Sequence, residues 1–363
     1  MADAPRSEAP RAAGVGAADR MRLFGILSSP WLAQSCYALV KLGIPDLMAG
    51  RPRPVAELAA AAGTDERALH RLLRALAAAG LVQETAPGSY ELTTLAQPLR
   101  SDVPRSSRDA AIMFGEEVFR SFAEITYTLQ TGKPAFEKVY GQPFYDYLAG
   151  HPDAARTFGT AMGGAGVPAV LSACDLGGMR TVVDVGGGNG GLLARVLRAQ
   201  PQARGILLDL PAAAAQARER LTQAGVADRA DIVEASFFDT MPGGADVYVL
   251  CRVLHNWPDD EATALLRRIR QAMATGGRVI VIEDLIQPPA ASAGAEQAGS
   301  GQVGGTPGAE VMDLLILLML SGCDRSESEY AGLLGQAGFA VTAVHPPPLR
   351  GRSVESAIEA VQA

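Results

Sequence analysis

Apolar and polar positions along the chain fall into two textures. From Met21 to Leu47 apolar residues recur with helical spacing, and "LGIPDL" predicts a break. The next stretch, "RPRPVAELAAAAGTDERALHRLLRALAAAGLVQE", predicts helix, turn, helix: Val55, Leu58 and Ala62 form one apolar stripe, and Leu69, Leu72, Leu73 and Leu76 form a second. Thr64 is the expected N-cap of the second helix, and Gly80 suits its C-terminal end. A short hairpin is expected around Pro87-Gly88. Helix, helix and hairpin in that order make a winged-helix pattern. Residues 107–170 read as mainly helical and hold much of the aromatic content.

From Arg180 onward continuous Val/Ile/Leu runs alternate with amphipathic helical segments. The runs are "TVVDV", "RGILLDL", "DIVEASFF", "DVYVLCRVL" and "RVIVIEDLI". Strands without polar alternation are covered on both faces, so a parallel sheet between helical layers is expected. A helix and a terminal strand pair follow. Residues 1–16 and 289–308 are rich in Ala, Gly, Pro and Ser and are expected to be a disordered arm and a disordered loop. The expected division is therefore a winged-helix domain at 17–106, a helical linker at 107–176 and an α/β domain at 177–363.

Composition narrows the class. A chain of 363 residues with 48% hydrophobic content suggests two globular domains. The net charge of −7 argues against a nucleic-acid binder. The winged helix reopens that question, because its second helix carries Arg67, His70, Arg71 and Arg74. Acidic balance and a complete second domain favour the other reading, a solvated helix face in a dimer. The four cysteines form no CxxC pair, so neither a zinc cluster nor a redox dithiol is expected, and scattered buried thiols fit a reducing compartment. The first 20 residues lack a signal-peptide core. Val311–Gly322, the most apolar run, is too short to span a bilayer. A cytoplasmic protein with no membrane partner is expected.

The chemistry concentrates at strand ends. "DVGGGNGG" places Gly186, Gly188 and Gly191 in G-x-G-x-x-G spacing between a strand and a helix. Asp209 closes the next strand, where a carboxylate can accept both ribose hydroxyls. Those features alone fit a nicotinamide dinucleotide. Asp184, two residues before the first glycine, would repel a pyrophosphate and suits an ammonium group instead. The fourth strand ends in Arg252, His255, Asn256 and Trp257. A ligand with adenine, ribose and a cationic amino-acid tail is S-adenosylmethionine.

The ordered set "DVGGGNG", "LLDLP", "FF", "RVLHNW" and "DRSESEY" resembles the plant-caffeate-type class I O-methyltransferases, especially bacterial members that methylate natural-product phenols. The resemblance runs from about residue 20 to the end. It implies a Rossmann-like domain with a seven-stranded, mostly parallel sheet, and a winged-helix domain that makes a homodimer. It implies S-adenosylmethionine as cofactor, S-adenosylhomocysteine as product and a small aromatic acceptor. By position it puts Asp184, Gly186, Gly188, Asp209, Leu210, Ser236, Phe237, Arg252 and Trp257 around the cofactor. It puts Met162, Phe158, Asn256 and Met312 around the acceptor. His255 takes the place of the general base, and Glu283 and Asp324 the places of two flanking acids, with no metal.

Three residues depart from the family pattern: Asn256 where Asp is usual, Asp324 where Glu is usual and Ser236 where Asp is usual. Some relatives keep the cofactor but hydroxylate, decarboxylate or cyclise, and these departures leave that reaction class open. From the residues alone each acid also has a plain reading. Glu283 ends a strand, Asp324 precedes a helix it would cap, and Asn256 stands ahead of Pro258 where it would cap another.

Overall fold

The computed structural model describes residues 16–164, 166–286, 309–347 and 355–363. The expected loop at 289–308, and the expected arm apart from Gly16, lie outside the described residues. The chain opens with a 25-residue helix, Ala17–Lys41. Gly43, at φ 68°, turns it into a short helix, Ile44–Leu47, at the break read from "LGIPDL". Strand β1 (Arg53–Pro54), helices Val55–Ala62 and Glu66–Ala78, and strands β2 (Val82–Ala86) and β3 (Ser89–Leu92) complete a winged helix. Its sheet has the order β1-β3-β2. Leu39, Ile44, Leu58, Leu69, Leu73, Leu76 and Tyr90 form its core.

One cap differs from expectation. The backbone N–H of Thr64 bonds to the Ala59 carbonyl and so closes the preceding helix. The next helix begins only at Glu66, and Asp65 caps it by accepting the Ala68 N–H at 2.7 Å. Gly80 does end that helix, in a left-handed conformation at φ 75° with Leu81 N–H returning to the Leu76 carbonyl.

A helical layer follows, ending in Phe144–Gly150 and Pro152–Gly164. Its rings interlock: Phe136 meets Phe144 edge to face at 5.2 Å, and Phe144 meets Phe158 at 5.1 Å. The helix Ala309–Met319 packs on this layer through Leu315 and Met319. The apolar run around Val311 is therefore a helix packed within the protein, as expected.

The α/β domain is built on β4 (Thr181–Val185), β5 (Arg204–Asp209), β6 (Ala230–Glu234), β7 (Val247–Cys251), β8 (Arg278–Glu283), β9 (Phe339–His345) and β10 (Ser356–Gln362). The order is β6-β5-β4-β7-β8-β10-β9. β6 through β8 are parallel, and β10 runs antiparallel to both neighbours. Alternate residues feed two cores. Val183, Leu250 and Val281 point to one face, and Val182, Val249 and Ile280 to the other, all fully buried. The order reverses between β4 and β7, which opens a crevice at the strands' C-terminal ends. The candidate site lies there.

Among the described residues, Ala17–Lys41 is long and apolar enough to cross a membrane by length and composition alone. Met21, Phe24, Leu27 and Trp31 on it are exposed.

Candidate active site

The glycine loop follows β4. Gly186 has φ 68°, and a Cβ there would stand 2.9 Å from the Val253 side chain, so glycine is required for both reasons. The loop leads into helix Gly191–Ala199. Below it Asp184 is 1% exposed, and its Oδ2 has no hydrogen-bond partner. Burial, reinforced by the nearby Asp209 charge, pushes its carboxyl up to about 7. An orphaned buried carboxylate oxygen beside a glycine loop fits a donor or a cation that arrives with a ligand.

Asp209 ends β5. Its Oδ2 accepts the Gly188 N–H at 2.7 Å and its Oδ1 the Leu210 N–H at 2.6 Å. Burial raises its pKa, and those two backbone donors oppose the rise. Each oxygen keeps a second acceptor site for a pair of hydroxyls. Ser236 Oγ accepts the Phe238 N–H at 3.2 Å, which fixes the turn carrying Phe237 and Phe238. Both rings meet Trp257 edge to face, at 5.7 and 4.7 Å. Tyr145 stacks on the same indole at 5.7 Å.

The turn after β7 is held from several sides. Arg252 has φ 57°, outside the range most side chains adopt. Its guanidinium is engaged by Glu355, with Nε donating at 2.9 Å. His255 sits in the 3-10 turn Leu254–Asn256. Glu283, at the end of β8, accepts the N–H groups of Val253 and Leu254 through Oε1, at 3.0 and 2.8 Å. Its other oxygen stands 3.4 Å from His255 Nδ1, an ionic contact rather than a hydrogen bond. Asp324 Oδ1 lies 3.0 Å from the same Nδ1. Side-chain exposure is 18% for His255, 0% for Glu283 and 2% for Asp324.

Burial lowers the His255 pKa, but the charges of Glu283 and Asp324 outweigh it and the net shift is upward. With both carboxylates on Nδ1, the ring proton belongs there and Nε2 is left as the acceptor.

Two plain readings from the sequence do not hold. Asn256 does not cap the following helix, which begins at Asp259 with Pro258 in the cap position. Asn256 lies too early, and its Nδ2 instead donates to the Arg252 carbonyl at 3.2 Å. Asp324 does not cap the helix Glu327–Gln336 either. Ser326 does, in a capping box with Glu329.

Of the expected acceptor-side residues, Phe158 joins the aromatic wall through Tyr145, with ring centroids 6.5 Å apart. Met162, one turn on along the same helix, is 41% exposed. Met312 is half-buried on Ala309–Met319.

The structure adds residues that the motifs did not single out. Asp313 accepts the Asp324 N–H at 2.8 Å. Arg325, 2% exposed, donates to the carbonyls of Leu254 and Trp257 at 3.3 and 2.8 Å, and so ties the Asp324 segment to the His255 turn. Gly322 packs so closely that a Cβ would lie 2.0 Å from the His255 carbonyl oxygen. Asp284 has a buried Oδ1 without a partner, and burial together with Glu355 pushes its carboxyl up to about 6. An acid inside the apolar run, Asp313, was a usable signal. Asp284 was hidden beside Glu283.

Comparison with known proteins shows the family. An O-methyltransferase domain model matches residues 122–340, and an O-methyltransferase dimerisation domain model matches residues 25–102. A phenazine O-methyltransferase from Lysobacter antibioticus is 40% identical over 327 residues, covering 89% of this chain and 92% of that protein. An 8-amino-8-demethylriboflavin N,N-dimethyltransferase from Streptomyces davaonensis is 37% identical over 318 residues, 85% of this chain and 87% of its own. A crystal structure of an O-methyltransferase from neocarzinostatin biosynthesis, in complex with S-adenosylmethionine and 2-hydroxy-5-methyl naphthoic acid, superposes with a TM-score of 0.76. It is 35% identical and covers 92% of this chain and 96% of that one. The chain belongs to the S-adenosylmethionine-dependent O-methyltransferase family and is a methyltransferase with a dimerisation domain.

Proposed function

We propose that this enzyme methylates a phenolic hydroxyl of an aromatic or polycyclic natural product, with His255 as general base. The observation that carries the reading is His255 Nδ1 held between Asp324 and Glu283, which leaves Nε2 to take a proton. S-adenosylmethionine supplies a methyl group already activated on a sulfonium. The chain's own residues then have three tasks. Asp184 and Asp209 receive the ammonium and the ribose hydroxyls, beside Gly186, Gly188 and Leu210. Phe237, on the turn set by Ser236, and Trp257 cover the adenine. Phe158, Met162 and Met312 line the acceptor side.

Proton removal is the energetic problem. A phenol with pKa about 10 and an imidazole near 6.5 differ by about 3.5 units, or about 5 kcal/mol. The two acids narrow that gap by favouring the imidazolium, and transfer that is partial in the transition state avoids the remainder. Asn256 offers its free amide oxygen to the acceptor ring. Arg252, already paired with Glu355, orders the strand end rather than holding the cofactor's carboxylate alone.

The test is His255→Ala. Methyl transfer to a phenolic acceptor is expected to fall about 10² to 10⁴-fold with S-adenosylmethionine affinity retained. Near-wild-type transfer would sink the assignment. The similarity to an N,N-dimethyltransferase favours a second reading, methylation of an aromatic amine. Paired phenol and aniline acceptors, scored by mass gain in step with S-adenosylhomocysteine, separate the two. The same measurement separates both from a reaction without methyl transfer. The enzyme is proposed to act as a cytoplasmic homodimer through its N-terminal domain.

A further inference from the structure

No metal-ligand spacing is visible in the sequence, yet the fold brings Cys174, His345 and Glu359 together, away from the methyl-transfer crevice. Glu359 lies in β10 and His345 ends β9. Ala357 stands opposite His345 and Ala343 opposite Glu359, so His345 and Glu359 are diagonal neighbours on one face of an antiparallel pair. Ala357 and Cys174 share the buried cluster on that face. Cys174 follows the 3-10 turn Ala169–Ala173, and the adjacent Asp175 N–H donates to Glu359 Oε1 at 3.3 Å. His345 Nε2 lies 2.6 Å from the same oxygen. One sulfur, one imidazole nitrogen and one carboxylate oxygen thus lie within 4.8 Å of one another.

We propose that Cys174, His345 and Glu359 bind a divalent transition-metal ion of the zinc type, with the fourth position open to solvent. A thiolate, an imidazole and a carboxylate are the donors such an ion takes, at bond lengths that set tetrahedral donors about 3.3 to 3.8 Å apart. Side-chain adjustment reaches that spacing. Thiolate and carboxylate together carry the two negative charges that balance the ion. Both residues are buried, Cys174 at 8% and Glu359 at 6% exposure, whereas the His345 side chain is 25% exposed and borders the open position. Binding releases the Cys174 thiol proton to solvent, and His345 coordinates as neutral imidazole. The ion staples the β9–β10 hairpin to the segment that leads into β4. Strand β10 begins beside Glu355, the partner of Arg252.

The test uses full-length protein stripped with a chelator and titrated with Co²⁺. One equivalent is expected to give tetrahedral visible bands and a thiolate-to-cobalt charge-transfer band in the near ultraviolet, both lost on adding Zn²⁺. Cys174→Ser removes the charge-transfer band, Glu359→Gln weakens binding at least tenfold, and Cys323→Ser changes nothing. His345→Gln, at a partly exposed position, carries the test should Cys174→Ser not fold. It is expected to abolish the rise in unfolding temperature that Zn²⁺ gives the unmodified protein. Absence of the charge-transfer band in the unmodified protein overturns the proposal, as does its persistence in Cys174→Ser.

Discussion

His255 owes its basicity to neighbours supplied by two distant segments. Because its pKa is raised, the imidazole stays protonated, and unable to accept a proton, up to a pH above about 6.5. The acid limb of the kcat profile is therefore expected above that value. Asp324→Ala removes one of the two supporting charges. It is expected to move the limb to lower pH and to cut kcat by roughly 10²-fold. A group with a raised pKa stabilises the fold fully below its unfolded value and loses that contribution as pH rises through the folded one. Asp324→Ala should accordingly cost more stability at about pH 5.5 than at about pH 8.5, read by urea unfolding. Asp184 follows the same sign for a different reason, because the fold disfavours its charged form. Its carboxyl holds a proton to about 7 in the fold and only to the ordinary carboxylate range when unfolded, so the cofactor-free protein loses stability as pH rises between them. Asp184→Asn is expected to raise the unfolding temperature of the cofactor-free protein at pH about 8 and to abolish the rise that S-adenosylmethionine gives.

At the level of elements, the His255 turn is a junction that tolerates no extra atom. Gly322→Ala drives a methyl group into the His255 carbonyl, which belongs to the backbone and has little room to move. Loss of kcat is expected to exceed loss of stability, because the displaced segment carries Asp324. Ser326→Ala, by contrast, removes a helix cap and is expected to cost about 1 kcal/mol of stability with a smaller effect on kcat. Stripes and breakers located most helices and strands correctly. The caps did not follow as well. Thr64 and Asp65 are adjacent and both able to cap, and the choice depended on which N–H closed the preceding helix. Asn256 before Pro258 looked like a cap because a sequence shows order but not where the first helical turn begins.

At the scale of the whole molecule, Ala17–Lys41 leaves Met21, Phe24, Leu27 and Trp31 exposed, the last two within the region matched by the dimerisation model. A patch of that kind calls for a partner surface. Leu27→Asp with Trp31→Asp is expected to convert the dimer to monomers in sedimentation equilibrium. Retention of the dimer would remove this helix from the interface. The parallel sheet and its preceding winged helix were both legible, since the apolar runs of β4, β7 and β8 reflect burial on two faces. Strand order was not legible, because neighbours in the sheet are far apart in the chain.

By itself, the sequence determined the local elements, the order of winged helix then α/β domain, and the candidate cofactor-binding ends of β4 and β5. Those depend on periodicity, glycine conformation and residues close together along the chain. Tertiary structure decided which charges face which. It put Asp324 and Glu283 on one nitrogen of His255, Glu355 on Arg252, and Glu359 beside His345 and Cys174. Each contact joins segments separated by at least 14 residues, 185 in the longest case, Cys174 to Glu359. Electrostatic energy depends on separation in space and on burial, and neither can be read from position in the chain.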